Sequence, residues 1–231
     1  MWVRGANVDS SMAKTSRTLP PRIDPIRLEN LGEGYAGDLS ARASTEGLRF
    51  VGLELDGVDL AGASVSECSF DGLSAHETSL KSTTFTEVEF TRLNAPVLIA
   101  GRSRFRDVTI AASRVGSADL FDSALNSVRI TGSKLSFVNL RGAHLQDVLF
   151  EGCTIDELDL ASATLDRVAF VDTTISSLRM AGAKLSNVDL RGAQFSTIDG
   201  FGSLAGATLD SYQVSSLATA FATHLGIVVE D

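Results

Sequence analysis

From Phe50 to Phe195, every fifth residue of this chain is a large apolar one, with few lapses. Of the 30 positions in that series, 27 carry Leu, Ile, Val, Phe or Met, and the exceptions are Ala75, Ala95 and Ala100. A period of five fits neither the 3.6 of a helix nor the 2.0 of a strand. It requires a chain that turns a corner every five residues and sends one side chain inward each time.

A second inward position lies two residues before each large one. It runs Ser103, Val108, Ser113, Ala118, Ser123, Val128, Ser133, Val138, Ala143, Val148, Cys153 and onward, small residues alternating with larger aliphatic ones. The phrases NLRGA (139–143), DLRGA (189–193), DLAGA (59–63) and DLASA (159–163) share one register. In these phrases and their spacing the chain resembles the pentapeptide-repeat family over roughly residues 46–210, and in style its members from high-GC Gram-positive bacteria.

The resemblance implies an all-β fold: a right-handed quadrilateral β-helix with one pentapeptide per face. Four faces make a coil of 20 residues, and about eight coils make a rod roughly 38 Å long at the strand spacing. Residues 20 apart then stack, so Phe50, Phe70, Phe90, Ile110, Ile130, Phe150 and Phe170 are expected in one internal column. Coils that touch only their neighbours need capped ends. Three parts follow. Residues 1–45 do not repeat and form an N-terminal extension whose Ile23, Ile26, Leu28, Leu31 and Leu39 are candidates to cover the first coil. Within it, residues 1–17 are expected to be disordered, and Met12 is as good a start as Met1. Residues 46–210 are the β-helix. Residues 211–231 read as a helical cap with Val214, Leu217, Phe221 and Leu225 on one stripe, Ser211 at its start and Gly226 at its end. That stripe reads first as a lid on the last coil; the alternative, implied by the resemblance, is a dimer contact, since relatives that bind topoisomerases pair through this end, and one stripe could serve both. IVVE (227–230) is a candidate last strand.

The chain has no run of 18 apolar residues and no secretory signal pattern, which argues against membrane insertion. Cys68 and Cys153 both occupy the small inward position, about 19 Å apart along the axis at strand spacing. They are out of disulfide reach and read as buried thiols of a cytoplasmic protein. His76, His144 and His224 do not converge, no cysteine and histidine set has metal-ligand spacing, and the glycines fall at repeat corners rather than in a phosphate loop. The reading is therefore a non-enzyme with no cofactor.

Charge is unevenly placed. Residues 46–91 hold nine acids against two bases, net −7; residues 92–114 hold one acid against five bases, net +4; residues 115–172 hold nine acids against four bases, net −5. This mixture disfavours direct nucleic-acid binding. Glu67, Glu87, Asp107 and, after a gap at Ser127, Asp147 are spaced to form a ladder of carboxylates on one corner. Arg92, Arg102, Arg104, Arg106 and Arg114 form a basic belt beside TRLNAPVLIAG (91–101), where Ala95 and Ala100 underfill the axis and Pro96 predicts a loosened or bulged coil. Family members of the Qnr and MfpA type are similar to duplex DNA in shape and negative charge, engage DNA gyrase and topoisomerase IV, and protect them from quinolones. The resemblance thus implies a topoisomerase partner met through the acidic ladder. The alternative is an adaptor rod for an unrelated protein, with the arginine belt as its contact.

Overall fold

In a computed structural model of the chain, the structure describes residues 18–230. The expectations of disorder before residue 18 and of a start at Met12 lie outside the described residues. Parallel strands wind into a β-solenoid of about nine turns. One sheet joins eight-residue strands such as Ser64–Asp71, Thr84–Thr91 and Arg104–Ala111, each bent over a corner, and a second joins strands such as Asn94–Ile99, Arg114–Asp119 and Lys134–Asn139. The register is one coil of sequence throughout the repeat: Val65 faces Phe85, Phe85 faces Phe105, Phe105 faces Leu125 and Leu125 faces Leu145. Only the ends depart from it. Gly32 pairs with Leu48, a step of 16, and Ala207 with Val188, a step of 19.

The expected internal columns form. Phe50, Phe70 and Phe90 stack with ring centroids 4.7 and 5.0 Å apart, Phe150 lies 4.9 Å from Phe170, and Phe85 and Phe105 make a second stack. These spacings are the strand spacing itself, so the sheet sets the ring separation. Between the phenylalanine runs the column holds Ile110 and Ile130, and there an apolar cavity of about 50 Å³ remains, lined by Leu93, Val115, Leu120 and Phe150 among others.

The small inward residues are hydrogen-bonded, not idle. The Ser103 hydroxyl donates to the Leu80 carbonyl (2.6 Å) and the Ser103 amide donates to the Ser123 hydroxyl (3.1 Å). Such links tie each coil to both neighbours and satisfy hydroxyls that burial would otherwise penalise. Cys68 and Cys153 sit in the same slots as free buried thiols, whose pKa burial pushes up.

Corners fall two residues after each large one, and most hold a left-handed residue, among them Glu67, Glu87 and Asp107. One corner changes type along the rod. Gly57 and Glu77 are left-handed there, but among the described residues Val97, Ser117, Phe137, Glu157 and Ser177 are not. Branched and aromatic side chains resist the left-handed region, which suits Val97 and Phe137 to a straightened corner, and Ser117, Glu157 and Ser177 pair in register with them as the strands run through it. The stretch predicted to loosen at 91–101 is accordingly a regular strand paired on both sides, with Ala95 and Ala100 fully buried. Pro96 is accommodated because Gly116 stands over it: a Cβ at 116 would lie 2.5 Å from the Pro96 carbonyl oxygen.

The two ends are closed differently. At the start, Leu39 is buried in the core and Gly34 lies against the Phe50 ring. At the finish the chain leaves the five-residue step through Gly206, which is left-handed and so close to the Leu185 carbonyl oxygen that no other residue fits. Two short helices follow, α1 (Ser211–Ser216) and α2 (Ala218–His224). The cap of α1 is Asp210, in a reciprocal capping box with Gln213, rather than Ser211. Gln213 is buried and its amide donates to the carbonyls of Leu190 (2.7 Å) and Ala193 (2.8 Å). The lid thus binds the last coil through a glutamine. Of the apolar stripe, Leu217 packs on the core and Phe221 meets Phe201 edge-on, while Val214 and Leu225 face outward. Residues 227–230 form no strand.

Residues 18–31 do not cover the first coil. They form an extended strap along the side of the rod, from Thr18, whose hydroxyl bonds that of Thr208, to Gly32 beside the first turn. The Leu19 amide donates to Asn187 Oδ1 (3.2 Å) and the Arg22 amide to Asp147 Oδ1 (2.8 Å). Pro20, Pro21 and Pro25 favour this extended form, and Ile23, Ile26 and Leu28 are half-buried beneath it.

Candidate functional site

The corner that carries Glu67 continues through Glu87, Asp107, Ser127, Asp147, Arg167 and Asn187, each a left-handed residue. The four carboxylates expected as a ladder do share this corner, but their surroundings differ. Glu67 and Glu87 are exposed, with no cation within 4 Å among the described residues. Asp107 is half-buried and lies 3.5 Å from the Arg106 guanidinium. Asp147 is only 7% exposed. Arg167, stacked one coil on, donates to both of its oxygens at 2.6 and 2.8 Å, and the strap's Arg22 amide supplies a third donor. The Arg167 hydrogen bonds hold the Asp147 carboxyl below the usual carboxylate range against the opposing effect of burial, helped by the Arg22 amide. Asp166 completes the guanidinium's shell at 2.5 Å. The structure therefore withdraws Asp147 from the ladder: a partnered residue beneath a strap is not a free contact. Repeat spacing carries no signal for that strap, since residues 18–31 lie outside the repeat. Arg167, one coil after Asp147, was the visible hint of a pair.

The basic belt divides among the faces. Arg104 and Arg106 are exposed on one face, in register with Thr84 and Thr86 before them and Ala124 and Asn126 after. Arg102 sits at the adjoining corner with its guanidinium over the Phe121 ring at 5.2 Å. Arg114 belongs to the other sheet, beside Lys134, and Arg92 pairs with Asp71 at 2.5 Å. So Arg102, Arg104 and Arg106 come together and the other two do not. Arg114 and Lys134 border an open groove of about 450 Å³ over Pro96 and Gly116, with Asp156 at its far side.

At the C-terminal end, Tyr212, Val214, Leu225, Ile227, Val228 and Val229 are exposed. His76 and His144 stay far apart on the rod surface, and the internal cavity is too small for a metabolite. Among the described residues no set of three His, Cys, Asp or Glu side chains could hold a metal ion, and no helix is long and apolar enough to cross a membrane.

Comparison with known protein families agrees with this geometry. The family model described as pentapeptide repeats matches in eight copies, over residues 54–92 and 133–170. No curated protein matches the sequence. Among solved structures, trypsin-treated QnrB1, a plasmid-mediated fluoroquinolone resistance protein, is 19% identical, with 82% of this chain and 99% of that one covered at a TM-score of 0.36. Full-length QnrB1 is 18% identical, covering 77% and 99%, with the same TM-score. HetL, a pentapeptide repeat protein involved in heterocyst differentiation regulation from the cyanobacterium Nostoc sp. strain PCC 7120, is 16% identical, covering 74% and 91%, at 0.35. Over residues 54–92 and 133–170 this chain carries pentapeptide repeats, and the one-coil register and the solenoid continue beyond those stretches.

Proposed function

We propose that the rod is a non-enzymatic interaction module whose N-terminal coils dock on a basic protein surface, with the DNA-binding saddle of DNA gyrase or topoisomerase IV as the specific candidate. One observation carries the reading. Glu54, Glu67, Glu77 and Glu87 are exposed on the stretch of rod with net charge −7, and no arginine or lysine among the described residues neutralises them. A straight rod with such a field is steered to a positive groove, and salt weakens the encounter. Strand spacing differs from the phosphate rise, so likeness to DNA would be one of charge and shape.

The test is supercoiling by a bacterial DNA gyrase titrated with the protein, with and without a fluoroquinolone. Inhibition or drug rescue, lost in the Glu67→Gln/Glu87→Gln double variant, supports the reading. No effect in either arm retires it.

The second reading is an adaptor that binds through Arg102, Arg104 and Arg106, which are gathered at one corner and face. Charge reversal there should abolish an adaptor contact and leave or improve a gyrase contact. In either role the exposed Val214 and Leu225 at the C-terminal end suit pairing with a second copy; sedimentation of a Val214→Asp/Leu225→Asp variant at half the native mass would bear this out.

A further inference from the structure

The strap meets the corner in a repeating register. Leu19 and Arg22 are three residues apart, and their amides go to Asn187 and Asp147, which are two coils apart. Three residues of polyproline-type chain span about 9.3 Å, and two coils span about 9.6 Å. The next corner residue at that interval is Asp107, and the next strap residue is Pro25, which has no N–H to give. Asp24, Pro25, Ile26 and Arg27 accordingly form only an open cleft with Glu87 and Asp107. Two rungs are filled by main-chain donors and the third is left without one. The hold is also slight: residues 18–31 form no strand with the solenoid, and Leu19 is 46% exposed.

We propose that residues 18–31 are a removable, built-in occupant of this corner, competing with an extended segment of a partner protein. The segment that fits has free N–H groups at three-residue intervals to meet Asn187, Asp147 and Asp107, and a basic side chain opposite Glu87. Release of the strap opens the corner; the strap in place closes it. This regulation is independent of whether the partner is a topoisomerase.

The test uses the full chain and a labelled peptide of the strap sequence, residues 18–31. Leu19→Pro/Arg22→Pro removes both anchoring donors from the chain's own strap while keeping its extended backbone. The double variant should bind the peptide at least tenfold more tightly than the native chain does. Equal affinity for the two chains, including no binding to either, would overturn the proposal. A peptide carrying the same two prolines should bind the variant at least tenfold more weakly; equal binding would refute the register. If the variant does not fold, hydrogen exchange in the native chain decides: the Leu19 and Arg22 amides must exchange far faster than those of Val148 and Val168, and equal protection would rule out a removable strap.

Discussion

At one corner of the rod, Glu67 and Glu87 stand in solvent without a cation among the described residues; three coils beyond Glu87 on the same corner, Asp147 is gripped by Arg167 and covered by the strap. The contrast extends beyond that corner. In the second half Arg141 meets Asp159, Arg179 meets Glu157, Arg129 meets Glu151 and Arg191 meets Asp189, whereas the acids of residues 46–91 have Arg92 as their one arginine partner among the described residues. Identical backbone slots therefore carry two kinds of carboxylate. Asp147 holds two coils and the strap together, whereas Glu67 and Glu87 have no cationic partner among the described residues.

Arginine removal should break this contrast most sharply. Arg167→Ala leaves the Asp147 carboxylate nearly buried without its bidentate partner, and we expect a loss of about 3 kcal/mol in urea denaturation. Arg92→Ala, which removes an exposed partner from Asp71, should cost about 0.5 kcal/mol or less. Equal losses would mean that the halves do not differ. Acid sharpens the same point. Because its folded-state pKa is lowered, Asp147 contributes stability that is present at neutral pH and lost as pH falls through and below the ordinary carboxylate range. Arg167→Ala should flatten that acid limb of the stability curve.

The ends offer a second break. Gln213→Ala takes the Gln213 donor from the Ala193 carbonyl and leaves the Leu190 carbonyl with the Ala193 amide alone, at a cost of about 2 kcal/mol. Thermal denaturation should record it, and hydrogen exchange should place the new mobility in residues 184–199 and not at the N-terminal coils.

Periodicity exposed most of the fold in advance because every core position is set by a neighbour one coil away. Phe50, Phe70 and Phe90 had to stack once the coil length was known, and Ser103 and Cys153 had to be inside. What it left hidden has no such neighbour. The strap lies outside the repeat, and its contact from Leu19 to Asn187 spans 168 residues. Gln213 reads as a polar residue on a helix, although Asp210 and Gln213 are spaced as a capping box and mark the helix start more clearly than Ser211 does. The ladder was half legible: spacing put Glu67, Glu87, Asp107 and Asp147 on one corner, but exposure depends on what lies over a corner, and spacing is silent about that. At 91–101, Pro96 reads as a break because the space that Gly116 leaves for it lies a full coil away in sequence.

A gain rather than a loss is expected between the two halves, where phenylalanine gives way to Ile110 and Ile130 and the cavity of about 50 Å³ remains. A void of that size costs on the order of 1 kcal/mol in a well-packed core. Ile110→Phe would extend the stack from Phe90 toward the void, its ring facing Phe90 across one strand spacing. The change should raise stability by about 1 kcal/mol, read as a shift of the urea midpoint without a change in slope. A loss of about 1–3 kcal/mol, the usual cost of overpacking, would mean that the walls cannot open at Leu93 and Val115 and that the isoleucines are there because a ring does not fit. A gain would mean that the two phenylalanine runs are one interrupted column, and that the halves of the rod differ in how their acids are paired while sharing a single core.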